Sequence, residues 1–185
     1  VMSSDADKIR RTQEEIDPKD FDTVIDSIIG AHRIYILGLR SSGVLAGFLS
    51  FYFNHIFEDV VNVGAAQGET FEQMLRIGPN DVLIAISFPR YSKRTISAMK
   101  FARDHGARCL GLTDGKVSPL NEISDVCLYT KSEMVSFLDS LVAPLSMINA
   151  LIMAVSARDR ARTFETFREL ENVWKEYEVY GTVES

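Results

Sequence analysis

Short apolar runs alternate along the chain with longer stretches in which apolar residues recur every three or four positions. The runs cover residues 33–37, 60–63, 82–86, 108–112 and 126–129. Each is apolar almost throughout and closes on Gly, Ser, Thr or Asp, the pattern of parallel strands covered on both faces. Between them, residues 42–57, 71–76 and 92–105 read as helices, with a short turn near 120–123. Strand and helix in alternation over this length predict crossover units and a doubly wound α/β architecture around a parallel sheet.

Two flanks do not alternate. Over residues 5–30, apolar side chains fall at Ile9, Ile16, Phe21, Val24, Ile25, Ile28 and Ile29, with Pro18 marking a break. This predicts one or two helices that end at Gly30 and lead into the first strand. Over residues 133–180 the pattern is helical again. Leu138, Leu141, Val142, Leu145, Ile148, Ile152 and Val155 form one broad stripe; Phe164, Phe167, Leu170 and Trp174 form another. The first stripe covers much of its helix and is expected in a core or an oligomer interface. The chain therefore divides into a linker with its lead-in helix (1–30) and one ligand-binding domain (31–185).

Composition narrows the class. With 185 residues, 46% hydrophobic and 25% charged, the chain fits one globular domain and is no disordered tail, collagen-like repeat or disulfide scaffold. Asp and Glu number 26 against 20 Lys and Arg, a net charge of −6. Such a domain is a poor non-specific binder of nucleic acid, so any DNA contacts belong to another domain. Cys109 and Cys127 sit in apolar runs and read as core thiols, not as a disulfide or metal pair. Residues 1–16 carry no apolar signal segment, and the apolar stretch 137–157 is broken by Asp139, Ser140, Pro144, Ser146 and Asn149. The expectation is a soluble, cytoplasmic protein.

The first strand runs into Gly38-Leu39-Arg40-Ser41-Ser42-Gly43 and then a helix. Open α/β sheets bind ligands at this junction, where free N–H groups and the helix dipole favour an anion. Gly38 and Gly43 match the outer glycines of a dinucleotide fingerprint, but Arg40 holds the middle position and no acid closes the second strand. A nicotinamide cofactor is disfavoured, and neither cofactor nor metal is expected. Ser41 and Ser42 suit phosphate oxygens, although helix capping would explain one of them. The third strand ends in Ser87-Phe88-Pro89-Arg90-Tyr91-Ser92-Lys93-Arg94-Thr95, again hydroxyls and cations before a helix. Two such loops on neighbouring strands could enclose one phosphate. Lys93 and Arg94 read as solvated.

These loops, with Thr113-Asp114 and Ser118-Pro119-Leu120, resemble the sugar isomerase (SIS) domain. The S-F-P-R-Y-S wording of the second loop is similar to the effector domain of RpiR/MurR-type bacterial transcriptional regulators. The resemblance covers about residues 31–180. It implies a three-layer α-β-α domain with a five-stranded parallel sheet of flavodoxin-like kind, a phosphosugar ligand, and homodimers or homotetramers. Gly38 and Ser42 match the family's G-x-G-x-S, while Arg40 replaces its second Gly. Ser87 and Ser92 match the ends of S-x-S-G-x-T, while Pro89 and Arg90 replace its inner Ser and Gly. The expected ligand-binding set is Arg40, Ser41, Ser42, Ser87, Arg90, Tyr91, Ser92 and Thr95, with Tyr91, Gln67, Thr113 or Ser136 reaching the sugar hydroxyls.

Catalysis is harder to place. Isomerisation of an aldose needs a base beside the carbonyl, yet His32, His55 and His105 all fall outside the strand-end loops. Glu69 and Glu133 remain as candidates. The expectation is a sensor whose helix-turn-helix domain lies outside this chain, with a stand-alone phosphosugar isomerase as the alternative.

Overall fold

A computed structural model describes residues 1–64, 70–133 and 139–180. Two helices open the chain, α1 (Met2–Glu15) and α2 (Pro18–Ile29). Asp17 caps α2 by accepting a hydrogen bond from the Lys19 N–H at 2.8 Å, and Pro18 fills the first helical position, where a missing N–H costs nothing. Then follow β1 (Arg33–Gly38), α3 (Ser41–Ile56), β2 (Val60–Asn62), α4 (Thr70–Gln73), β3 (Asp81–Ile86), α5 (Lys93–Asp104), β4 (Arg108–Thr113), β5 (Val126–Tyr129), α6 (Val142–Arg158) and α7 (Arg160–Glu176). The five strands form one parallel sheet in the order β2-β1-β3-β4-β5.

Strand alternation feeds two cores. Ile34 and Ile36 of β1 face α2, α3 and α6, where Ile28, Leu49, Phe53 and Ile148 are all fully buried. Tyr35 and Leu37 face the other way, onto Met74, Ala98 and Met99 beside α4 and α5. The result is the expected three-layer α-β-α sandwich. Cys109 and Cys127 are both buried free thiols, and burial pushes Cys109 up to about 12. No helix among the described residues is long and apolar enough to cross a membrane.

The fold departs from the sequence pattern in two helices. The α4 segment is four residues long and buries Thr70, with Met74 buried just beyond it, while Phe71 and Leu75 are exposed. In α7 no residue is buried, so the aromatic stripe finds no core; Phe164 and Phe167 are exposed. Of the stripe expected on α6, Ile148, Ile152 and Val155 are buried, Leu141 and Leu145 are partly buried, Val142 is exposed and Leu138 lies outside the described residues; Met147 and Leu151 complete the buried face.

Gly38 and Gly64 let the layers close. A Cβ on Gly38 would lie 2.3 Å from the Ser42 carbonyl oxygen and 2.9 Å from the Ala46 Cβ; one on Gly64 would lie 2.3 Å from the Gly38 carbonyl oxygen. The first turn of α3 thus rests directly on the end of β1.

Candidate functional site

β1 and β3 are neighbours, with Gly38 opposite Ile86. The chain leaves β1 through α3 on one face and β3 through α5 on the other. This is the point of a doubly wound sheet where the crossovers diverge and open a crevice at the strands' carboxyl ends. A cleft of about 150 Å³ occupies it, and Arg40, Ser41, Ser42, Ser87, Arg90 and Ser92 all line it. Six of the eight residues singled out in the sequence therefore meet in one place. A larger hollow of about 430 Å³ lies at the opposite edge, beside Asp26, Asn80, Asp81 and Arg108, where the strands begin and no helix start points inward.

The serines are not caps for α3. Arg40 is the N-cap residue and offers no side-chain cap; Ser41 and Ser42 are the first two helical residues. Ser42 and Ser87 are buried residues on the cleft wall, and among the described residues neither hydroxyl makes a hydrogen bond. Ser87 donates its backbone N–H to the Leu112 carbonyl at 3.1 Å, which fixes the start of the second loop. Ser92 does cap its helix, its Oγ accepting from the Thr95 N–H at 3.4 Å. Two helix N-termini thus converge on a cleft with two uncommitted hydroxyls, an arrangement suited to an oxyanion.

Tyr91 and Thr95 stand apart. The Tyr91 hydroxyl donates to Asp114 Oδ1 at 2.8 Å, and burial together with that carboxylate pushes it up to about 12. Thr113 Oγ1 lies 2.7 Å from Ser118 Oγ and 3.1 Å from Asp114 Oδ1, so Tyr91 is a strut between the second loop and the end of β4. Thr95 is wholly buried, with its Oγ1 unpartnered, and does not line the cleft. Gln67 and Ser136 lie outside the described residues, as does Glu69.

Both cleft arginines have an unusual backbone. Arg40 has φ 57° and Arg90 has φ 66°. That region costs an L-residue about 1–2 kcal/mol and is ordinarily left to glycine.

One cleft residue was not foreseen. Asp139, between β5 and α6, reaches the cleft from 49 positions beyond Arg90 and meets its guanidinium at 3.5 Å. Its Oδ1 is buried without a hydrogen-bond partner among the described residues. The next residue, Ser140, donates its hydroxyl to Asp5 of α1 at 2.7 Å and holds that carboxyl below its ordinary value. Arg11 meets Glu133 at 3.2 Å, and Thr12 accepts from the Lys131 N–H at 2.9 Å. Lys131, Glu133 and Ser140 are therefore tied to α1, the last of them next to Asp139 of the cleft. The histidines lie elsewhere: His32 sits near Asp81 at 3.7 Å, and His55 and His105 contact carbonyls of their own helices. No group of three or more potential metal ligands occurs among the described residues.

Fold and cleft together define a three-layer α/β domain with a polar cleft between two helix starts. The chain belongs to the SIS domain family, whose model matches residues 27–154. It is 27% identical over 150 residues to an uncharacterised HTH-type transcriptional regulator of Clostridium perfringens, covering 80% of this chain and 53% of that one. It shares its fold with the sugar isomerase domain of an RpiR transcription factor from Sphaerobacter thermophilus (TM-score 0.88, 23% identity, 93% and 96% of the two chains covered). The Vibrio vulnificus NanR protein, solved with ManNAc-6P, is also similar (TM-score 0.83, 18% identity, 95% and 67% covered). The chain spans about half the length of the first of these regulators.

Proposed function

We propose that this chain is the phosphosugar-sensing effector domain of a bacterial transcriptional regulator whose DNA contacts are made by a separate helix-turn-helix domain. The observation that carries this reading is the cleft itself: Ser42 and Ser87, buried and with hydroxyls uncommitted among the described residues, both line it between the starts of α3 and α5. They supply the phosphate end. The unpartnered Oδ1 of Asp139 supplies an acceptor for a sugar hydroxyl. Residues 31–185 then form the binding domain, and 1–30 the segment through which occupancy is passed on. The similarity to regulators supports the same assignment.

A sensor fits better than an isomerase. Of the two candidate bases, Glu133 spends its carboxylate on Arg11 and Glu69 is not described. Signalling requires a ligand that favours one arrangement over another, and the Arg90–Asp139 and Ser140–Asp5 contacts lead from cleft to α1. Saturating sugar phosphate is therefore expected to change amide hydrogen exchange in α1 (Met2–Glu15) as well as in the cleft loops. Changes confined to the loops would count against sensing through this helix.

Self-association is part of the proposal. Val44 and Phe51 lie a heptad apart on α3 and are exposed, as is Phe164 of α7. The expected result is that Phe51→Glu converts a dimer or tetramer to monomers in light scattering. An unaltered mass would place the interface elsewhere.

A further inference from the structure

We infer that the cleft selects a ligand with two anionic groups, a sugar phosphate that also carries a carboxylate, and that Arg40 and Arg90 make the selection. This rests on the phosphosugar reading and adds the ligand class to it. Among the described residues, only Arg40, Arg90 and Glu178 combine a side chain with positive φ, and Glu178 lies beyond α7. The two strained arginines are both on the cleft. Glycine would meet the backbone's demand at either position without strain. What the positions gain from arginine is the guanidinium.

The phosphate does not need them. Ser42, Ser87 and the starts of two helices already provide donors for one phosphate. The Arg40 guanidinium makes no hydrogen bond or ion pair among the described residues, and that of Arg90 has Asp139 alone, at 3.5 Å with its own side chain 68% exposed. Two guanidiniums against one carboxylate leave the wall at 2 − 1 = +1 in a chain of net charge −6. A planar, always-charged fork matches a carboxylate in a way that the neutral carbonyl end of an aldose phosphate does not.

The test is calorimetric titration with matched pairs: glucose 6-phosphate and 6-phosphogluconate, ribose 5-phosphate and 5-phosphoribonate, erythrose 4-phosphate and 4-phosphoerythronate. In the best-bound pair the acid is expected to bind about tenfold tighter or more, a difference of about 1.4 kcal/mol. Arg40→Gly with Arg90→Gly should bring that ratio close to unity without lowering the melting temperature, because glycine relieves both backbones. Ser42→Ala should weaken both members together and leave the ratio standing. Equal binding of acid and aldose, or a ratio untouched by the arginine variants, overturns the inference while the phosphosugar reading survives. Failure of every compound to bind removes that reading and this inference with it.

Discussion

Replacing Ser42 and Ser87 together by alanine is expected to lower affinity for a sugar phosphate by ~100-fold or more, with little change in thermal stability. Each hydroxyl lines the cleft from a buried position and makes no hydrogen bond among the described residues, so alanine removes no internal contact. A hydrogen bond to a charged oxygen contributes about 1.5–3 kcal/mol. Two donors on one phosphate interact, so their effects will not add fully. A joint loss of about 3–5 kcal/mol is the expected range, at about 1.4 kcal/mol per tenfold in affinity. Titration calorimetry reads the affinity, and differential scanning calorimetry the stability. Undiminished affinity would mean that the loops are ordinary turns and the cleft is not the phosphate site.

Gly38→Ala is expected to have the largest effect on stability of any single methyl added near the site. The new Cβ would sit 2.3 Å from the Ser42 carbonyl oxygen and 2.8 Å from its carbon. Backbone in the first turn of a helix cannot turn aside as a flexible side chain would. The start of α3 must move off β1 and carry Arg40, Ser41 and Ser42 with it. Overpacking of this kind costs about 1–3 kcal/mol or more. For a domain of this size that is a fall of roughly 2–12 °C in Tm. Binding should fail in step. Gly47→Ala, on the same helix, provides the control. Its Cβ meets nothing nearer than the Asn62 side-chain nitrogen at 3.9 Å, so helix propensity should add roughly 0.5–1 kcal/mol of stability. Opposite signs at the two glycines would show that close packing on β1, and not glycine's flexibility, sets the site.

The sheet was legible because burial on both faces leaves parallel strands no polar positions. All five apolar runs became strands, β5 over the residues expected and the others within about two residues at either end. Helices judged by spacing alone were less secure. The helix expected over 71–76 forms at Thr70–Gln73, and Thr70 and Met74 are the buried residues of that turn. The aromatic stripe of α7 is real, but a stripe shows only that a face is apolar, not that this chain covers it.

The cleft was legible wherever one loop held its chemistry together. Ser41-Ser42 open a helix just after a strand and Ser87 through Ser92 join a strand to a helix, and adjacent strands bring both onto one cleft. Tyr91 belongs to the same wording, but its direction is set by Asp114, 23 residues away, which only the fold reveals. Asp139 had a signal that went unused, a carboxylate interrupting an apolar stretch; nothing local ties it to Arg90. Arg40 and Arg90 were visible as arginines where the SIS loops carry glycine. Their positive φ values lie where glycine is ordinarily found, which the sequence alone does not reveal.

The central claim is that the cleft binds a phosphorylated sugar and does not convert it. Proton NMR of the purified protein with a pool of pentose, hexose and amino-sugar phosphates tests both halves in one tube, with their sugar-acid counterparts included. Saturation transfer reports binding, and spectra followed over hours report turnover. The expected result is transfer to one sugar phosphate or its close relatives, with no new resonances. New product peaks that grow in proportion to the protein, or no transfer to any member of the pool, would contradict it.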